Sequence, residues 1–462
     1  HRGSARIIVS HRSLRRLGAV FFFCLGFGAA ATPALVAQDT TVDAVLARPL
    51  SLGDAARLAA KSSATARAAR YEADQAAARV TQARSDLLPN ASAYALEHGN
   101  TINTATFGFA LPGLDPGGEL LGPVNTVDVR GRLSQTLFDW GAFGRVKSAR
   151  TSAAAGTAVA SNAAEQAAAA AALAYLRVQR ADAQLAARTA DSVLADSLLG
   201  IARDQLAAGV GVALDVTRAE SQVAAVRAQL IASRNERDRG RLELLRTLGL
   251  SLDARVRLAD SLTSLTMDDT VPNEQQAIAI ALRQRPDLRA AEEQLLAARQ
   301  TASAIRAERL PSVTAFGAEG WLGTNSGNKL NTYQWGVEVS VPIFDGLRRE
   351  GRVSEQEARV REIDVQLRDL RQRTAIEVRG ALLDLASARQ SVDAAREQLR
   401  LNEQEVAQAR DRFRAGVSGN LDVITASLTL NSSRTQLVDA LSSYQAARVS
   451  LASAVGSVTS LP

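Results

Sequence analysis

The chain has 462 residues, of which 46% are apolar but only 4% aromatic, with one cysteine and a formal charge of +6. A single cysteine excludes a disulfide scaffold. The interleaving of 54 basic with 48 acidic residues excludes a one-signed nucleic-acid face, so no nucleic-acid partner is expected.

Taken in chain order, residues 1–37 come first. Arg2, Arg6, Arg12, Arg15 and Arg16 precede an apolar, Phe-rich stretch over 17–31, followed by small residues around Thr32, Ala34 and Ala37. That order predicts a secretory signal peptide, and the apolar core is too short for a spanning helix. Cys24 follows Phe21, Phe22 and Phe23 rather than the small residues a lipidation signal needs. Removal of the five leader arginines lowers the charge from +6 to near +1.

The remainder is duplicated. Leu88-Pro89 corresponds to Leu310-Pro311 at an offset of 222, with Lys61 facing Arg283 and Arg84 facing Arg306. Gly209-Val210 and Leu214-Asp215-Val216 correspond to Gly416-Val417 and Leu421-Asp422-Val423 at an offset of 207. Arg227 and Arg434, Gln229 and Gln436, and Gly249 and Gly456 share that offset. Matches kept in one order over two hundred residues mark two copies of one unit, 38–249 and 274–462, joined by 250–273.

Each copy reads as a helix, two strands and two helices. A proline ring pushes the preceding residue into extended geometry, so the first helix of each copy is expected to end at Leu-Pro. Strands are expected at about 89–105 and 126–138, then 311–322 and 331–344. In the second strand of each pair the two faces differ. Val127, Val129, Leu133 and Leu137 lie opposite Asp128, Arg130, Arg132, Ser134 and Thr136. Tyr333, Trp335, Val337, Val339, Val341 and Ile343 lie opposite Gln334, Glu338 and Ser340. Strand side chains alternate, so each strand has one apolar and one polar face, as in a membrane barrel or a half-buried soluble sandwich. The Pro- and Gly-rich stretch 106–125 and the polar stretch 323–331 suit loops at the outer end of a barrel. Phe138, Trp140 and Phe344, with Tyr333 and Trp335, are the aromatics expected where lipid meets water.

Stretches 139–207 and 345–415 contain no proline, and each predicts a helix on the order of 100 Å long. In the second, Val360, Ile363, Leu367 and Leu370 begin a heptad seam that resumes, after a four-residue shift, at Ala381, Leu385, Ala388 and Val392. The first is alanine-rich over Ala167–Ala172. Helices of this length demand partners. So do the strands: four cannot close a barrel, and open edges in lipid cost several kcal/mol for each unsatisfied backbone group. Several chains must pool them.

Chemistry is sparse. None of Lys61, Lys147 and Lys329 follows a glycine, so no phosphate loop is present. His98 is alone in the chain after the leader and supplies neither a metal cluster nor a catalytic dyad. The reading is of a chain without enzymatic activity, metal or cofactor. The repeated tips hold what functional chemistry there is. Gly209 and Gly416 let each helix pair reverse, and Asp215 and Asp422 fall in the first turn of the returning helix, where they favour the helix dipole. In a symmetric assembly each copy repeats Asp215 and Asp422, and a ring of such carboxylates attracts cations and narrows a passage.

The leader, the duplicated helix–strand–strand–helix–helix unit, the Leu-Pro before each strand pair and the paired Gly-Val…Leu-Asp-Val tips resemble the TolC-like outer-membrane efflux proteins, over about 50–456. The resemblance implies a mixed fold of α-helix and membrane β-sheet. Three chains would build a twelve-stranded β-barrel in the outer membrane, four strands each, continuous with a long α-helical barrel across the periplasm. It implies a passive exit duct for efflux or type I secretion, with a periplasmic adaptor and an inner-membrane pump as partners. Gly209, Val210, Gly416 and Val417 would be the adaptor-contacting tips, and 251–273 part of a belt around the tunnel. Relatives' tip-locking Tyr and Arg correspond to Phe413 and Ser418, and a second tip Asp to Thr425. A periplasmic adaptor and a coiled-coil spacer are the alternatives.

Overall fold

A computed structural model describes residues 48–107, 118–262, 273–324 and 329–461. Residues 1–47, which include the leader, the stretch 108–117, residues 263–272 of the expected belt, 325–328 and 462 lie outside the described residues. The chain forms α1 (Leu52–Ser62), α2 (Ala64–Ser85), β1 (Asn90–Asn103), β2 (Leu120–Phe138), α3 (Trp140–Ala207) and α4 (Ala213–Leu248). The second copy gives α5 (Glu274–Gln284), α6 (Pro286–Ala307), β3 (Ser312–Gly323), β4 (Leu330–Ser340), α7 (Arg348–Arg414) and α8 (Asn420–Val455).

The strands form one antiparallel sheet in the order β1-β2-β3-β4. The helices form a layer in the same order: α2 and α4 along one side of α3, then α6 and α8, then α7. Because α2 leads into β1, α3 leaves β2, α6 leads into β3 and α7 leaves β4, each wall helix continues the strand above it.

Four differences from the expected elements have local causes. The first helix of each copy is two helices. Ser63 breaks the first and caps α2, its side chain accepting from the Ala66 amide at 3.2 Å; Arg285 breaks the second, and Pro286 opens α6. These breaks stand at the offset of 222. β2 starts six residues earlier than expected, pairing with β1 as far as Asn103 and Leu120. β4 stops at Ser340, before Pro342, whose ring nitrogen cannot donate to a ladder. Finally α7 starts at Arg348 rather than at 345, after Gly346 and Leu347 turn through positive φ.

The breaks have a purpose in the wall. α4 ends in a left-handed cap at Gly249 (φ +70°), butted against Ser62 and Ser63 where α2 begins. The Ser62 hydroxyl donates to the Leu248 carbonyl at 2.6 Å. α8 ends likewise at Gly456 (φ +82°), against Arg285 where α6 begins, and Arg285 Nη1 donates to the Ala454 carbonyl at 3.3 Å. In each copy a 36-residue helix is thus carried on by a 22-residue helix from elsewhere in the chain. Each such pair runs beside one uninterrupted helix, α3 of 68 residues or α7 of 67. The heptad seam of α7 is buried as its spacing requires, with Leu367, Val378, Leu385 and Val392 in the core.

The segment between the copies lies against the middle of α3. Leu50 and Leu258 form a parallel bridge, and the Tyr175 hydroxyl lies 2.9 Å from the Leu50 carbonyl and 3.1 Å from Asp260 Oδ2. Burial, and then the charge of Asp260, pushes the Tyr175 phenol above its ordinary range.

Candidate functional sites: the sheet and the helical tips

Directly paired residues in an antiparallel sheet share a face, so the register fixes both surfaces. Val339 pairs with Val313, Val337 with Ala315, Trp335 with Gly317 and Tyr333 with Glu319. Across β2, Leu133 pairs with Gly317 and Ala91, Gly131 with Glu319 and Ala93, and Val129 with Trp321 and Ala95. The expected apolar faces therefore join into one largely apolar surface, interrupted by Glu97, Gln135, Glu319 and Asn331. No element covers it among the described residues: Tyr333 is 77% exposed and Trp335 79%. Among the described residues neither edge strand, β1 or β4, has an outer partner.

At the helical end of the sheet Phe138 and Trp140 meet edge to face at 5.2 Å, and Phe143 joins them at 6.1 Å from Phe138. Sequence reading missed Phe143, although it sits one helical turn after Trp140. Phe344, exposed, lies beyond the end of β4. Tyr333 and Trp335 sit toward the other end. From Tyr333 to Phe344 eleven residues of tilted chain span roughly 25–30 Å, the height of a membrane barrel's apolar band.

At the far end the two helical hairpins turn by the same device. The Val210 amide donates to the Gln205 carbonyl at 3.1 Å, and the Val417 amide to the Arg412 carbonyl at 2.9 Å. Gly209 and Gly416 supply the positive φ at +75° and +71°. Val210 and Val417 project, 80% and 70% exposed. Asp215 and Asp422 occupy the first turns of α4 and α8, as the repeat requires. Their surroundings differ. Asp215 is half-buried, 3.9 Å from Arg218, whereas Asp422 and Thr425 are exposed one turn apart, and Asp422 has no ion pair among the described residues. Phe413 does not face outward: it is buried against Leu198 and Val423, packing one hairpin on the other.

Two features of this end were not legible. Gln205 Nε2 donates to the Phe413 carbonyl at 2.9 Å, and Asn420 Nδ2 donates to the Asp215 carbonyl at 2.9 Å. Each hairpin thus holds the other through an uncharged amide, and nothing in the spacing of Gln205 and Asn420 signals it. Further along, Asp191 is fully buried and accepts from Arg188 at 3.1 Å and Arg434 at 2.8 Å. Arg434 was visible as a repeated position; its counterpart Arg227 reaches only an exposed Asp196 at 3.5 Å. Removing one partner of a buried set such as Asp191's leaves an uncompensated charge.

The profile of the family described as outer membrane efflux protein matches residues 55–250 and 277–457. The chain belongs to that family. Membership places it in the outer membrane and makes the sheet its membrane portion. Among curated relatives, the toluene efflux pump outer membrane protein TtgF of Pseudomonas putida is 28% identical over 62% of this chain and 59% of its own length. The cation efflux system protein CusC of Escherichia coli is 26% identical over 46% of each. The chain thus matches about three fifths of the length of the first of these relatives and less than half of the second. The fold is that of the outer-membrane channel OprN, with a TM-score of 0.72 and 18% identity over 88% of this chain and 90% of OprN.

Proposed function

We propose that three copies close into one passive duct, a twelve-stranded barrel in the outer membrane continued by a twelve-helix tunnel into the periplasm. It acts as the exit of an efflux or type I secretion system, for small molecules, metal ions or proteins. The observation that carries this reading is the open sheet: two bare edges and an uncovered apolar face on a single chain. Lipid satisfies the face, and only a neighbouring copy's strand satisfies the edges. The edges of the helical layer support it. Ile231 and Leu242 on α4 and Val365, Ile376 and Leu383 on α7 are exposed apolar residues on opposite sides, each eleven or seven residues from the next, as a coiled seam needs. A soluble adaptor or spacer leaves both the apolar face and the edges unexplained.

The projecting Val210 and Val417, with Gly209 and Gly416, form the end that meets a periplasmic adaptor and, through it, an inner-membrane pump. Asp422, with Thr425 one turn on, lines the constriction there; Asp215 and Phe413 hold the hairpins together behind it. Residues 250–273 belong to a belt about the tunnel's middle.

Mass measurement of the detergent-purified protein gives three copies if this is right. Val339→Arg abolishes that assembly, since an arginine near mid-membrane costs roughly 2–4 kcal/mol, whereas Ser340→Arg, on the polar face, preserves it. A soluble monomer, or equal losses in both variants, overturns the architecture. For the gate, Asp422→Asn weakens block by a multivalent cation added from the tip side by about tenfold or more in single-channel recordings. An unchanged block removes Asp422 from the constriction.

A further inference from the structure

The polar face of the sheet is not uniformly polar, and its departures from polarity lie together. Three successive rungs of the register decide the arrangement. Leu96, Asp128, Leu322 and Leu330 form one rung; Tyr94, Arg130, Gly320 and Thr332 the next; Ser92, Arg132, Ala318 and Gln334 the third. On β3 the second and third rungs carry almost no side chain. A Cβ at Gly320 would overlap the Val129 carbonyl oxygen and stand 2.7 Å from Arg130 Cα, so the backbone of β2 itself requires glycine at this position.

The result is a notch. Arg130 and Arg132 form one side on β2, Thr332 and Gln334 the other on β4, about 10 Å apart because two strand spacings separate them. Leu322 and Leu330 close it above. Below, the Phe316 ring covers Gly336, within 2.9 Å of where a Cβ would stand. Polar valences inside it are open. Arg130 pairs with Asp128 only through Nε, at 2.7 Å, and Arg132 has no ion pair among the described residues.

We infer that this notch is a weak binding station for aromatic organic anions on their way out. A flat ring lying over Ala318 against Phe316 covers apolar surface that a water-filled lumen leaves bare, and a carboxylate beside it meets two guanidinium forks, which suit planar oxyanions. A hydrated metal cation finds two positive charges there and no free carboxylate. The inference rests on the polar face being the lumen of the duct proposed above.

The test uses the full trimer in planar bilayers with KCl current as the readout and 2-naphthoate and acetate as probes. Naphthoate reduces the current of the unmodified channel at millimolar concentration and acetate does not. Arg132→Gln and Ala318→Leu, which remove a cation and fill the notch, each raise the half-blocking naphthoate concentration about fivefold or more, while KCl conductance stays within about twofold. An unchanged naphthoate block in both variants, or equal block by acetate, overturns the station. Saturation-transfer NMR of 2-naphthoate with the detergent-purified protein reads the notch without conduction. Binding lost in both variants supports the station even where the bilayer shows no current, a result that counts against the duct alone. Binding retained in both overturns the station.

Discussion

The two joints of the helical wall have the same geometry and opposite chemistry. In the first, Gly249 meets Ser62 and Ser63, and the neutral Ser62 hydroxyl donates to the Leu248 carbonyl. In the second, Gly456 meets Arg285, which also donates to Asp287 at 2.7 Å and pairs with Glu377. Duplication has retained what the backbone needs, a left-handed glycine closing the lower helix, and left the fastening free to diverge. Across the first joint the bond is a neutral hydroxyl's, and across the second a charged guanidinium's.

Alanine at the two glycines separates these cases most widely. At Gly249 a Cβ would stand 2.5 Å from the Ser62 carbonyl oxygen, in backbone that cannot yield easily, in addition to the strain of positive φ. Gly249→Ala should cost about 3 kcal/mol in urea unfolding of the detergent-solubilised protein. At Gly456 the nearest atoms, Arg285 Cγ at 3.2 Å and Cα at 3.3 Å, leave more room for a Cβ, and Gly456→Ala should cost about half as much. Equal costs would mean that the joints are packed alike.

Acid should find the second joint first. Burial raises the Asp287 pKa, but the hydrogen bonds and charge of Arg285 outweigh it and leave the carboxyl below its usual range. A carboxylate depressed in the folded state contributes stability above its unfolded value near pH 4, and that stability is lost as pH falls through the folded value. Hydrogen exchange at the start of α6 should therefore accelerate as pH falls below about 4, with the start of α2 lagging behind it. Asp287→Asn should flatten that difference and cost about 1–2 kcal/mol at neutral pH. The smallest effect is expected at the cap: Ser63→Ala removes one acceptor from the first turn of α2, for about 1 kcal/mol, independent of pH.

These joints also mark where sequence reading stopped. The duplication, the long helices, the strand faces and the tip turns were legible because each rests on a period or on a glycine with a required φ. Ser63 carries no period of its own, since the alanine-rich pattern runs through it, and only Pro286 announced the matching break. Gly249 and Gly456 were visible as a repeated pair, but their meaning depends on helices distant in the chain. The same holds for Asp191 and for Asn420, whose partners come from the other hairpin. Phe413 was named through likeness to relatives, and its packing against Leu198 and Val423 again depends on the other hairpin.

The layer order has a last consequence, one of inheritance. A protomer whose β1 side and β4 side are different surfaces assembles head to tail, and in the proposed ring of three every copy must offer both. A copy spoiled along one side still recruits a neighbour with the other, and the arc it joins never closes. Where half the copies in a cell are spoiled, only about one ring in eight is wholly sound. Lesions along β1 or β4 are then dominant over the intact gene, while lesions at the joints, which unfold the copy that carries them, stay recessive.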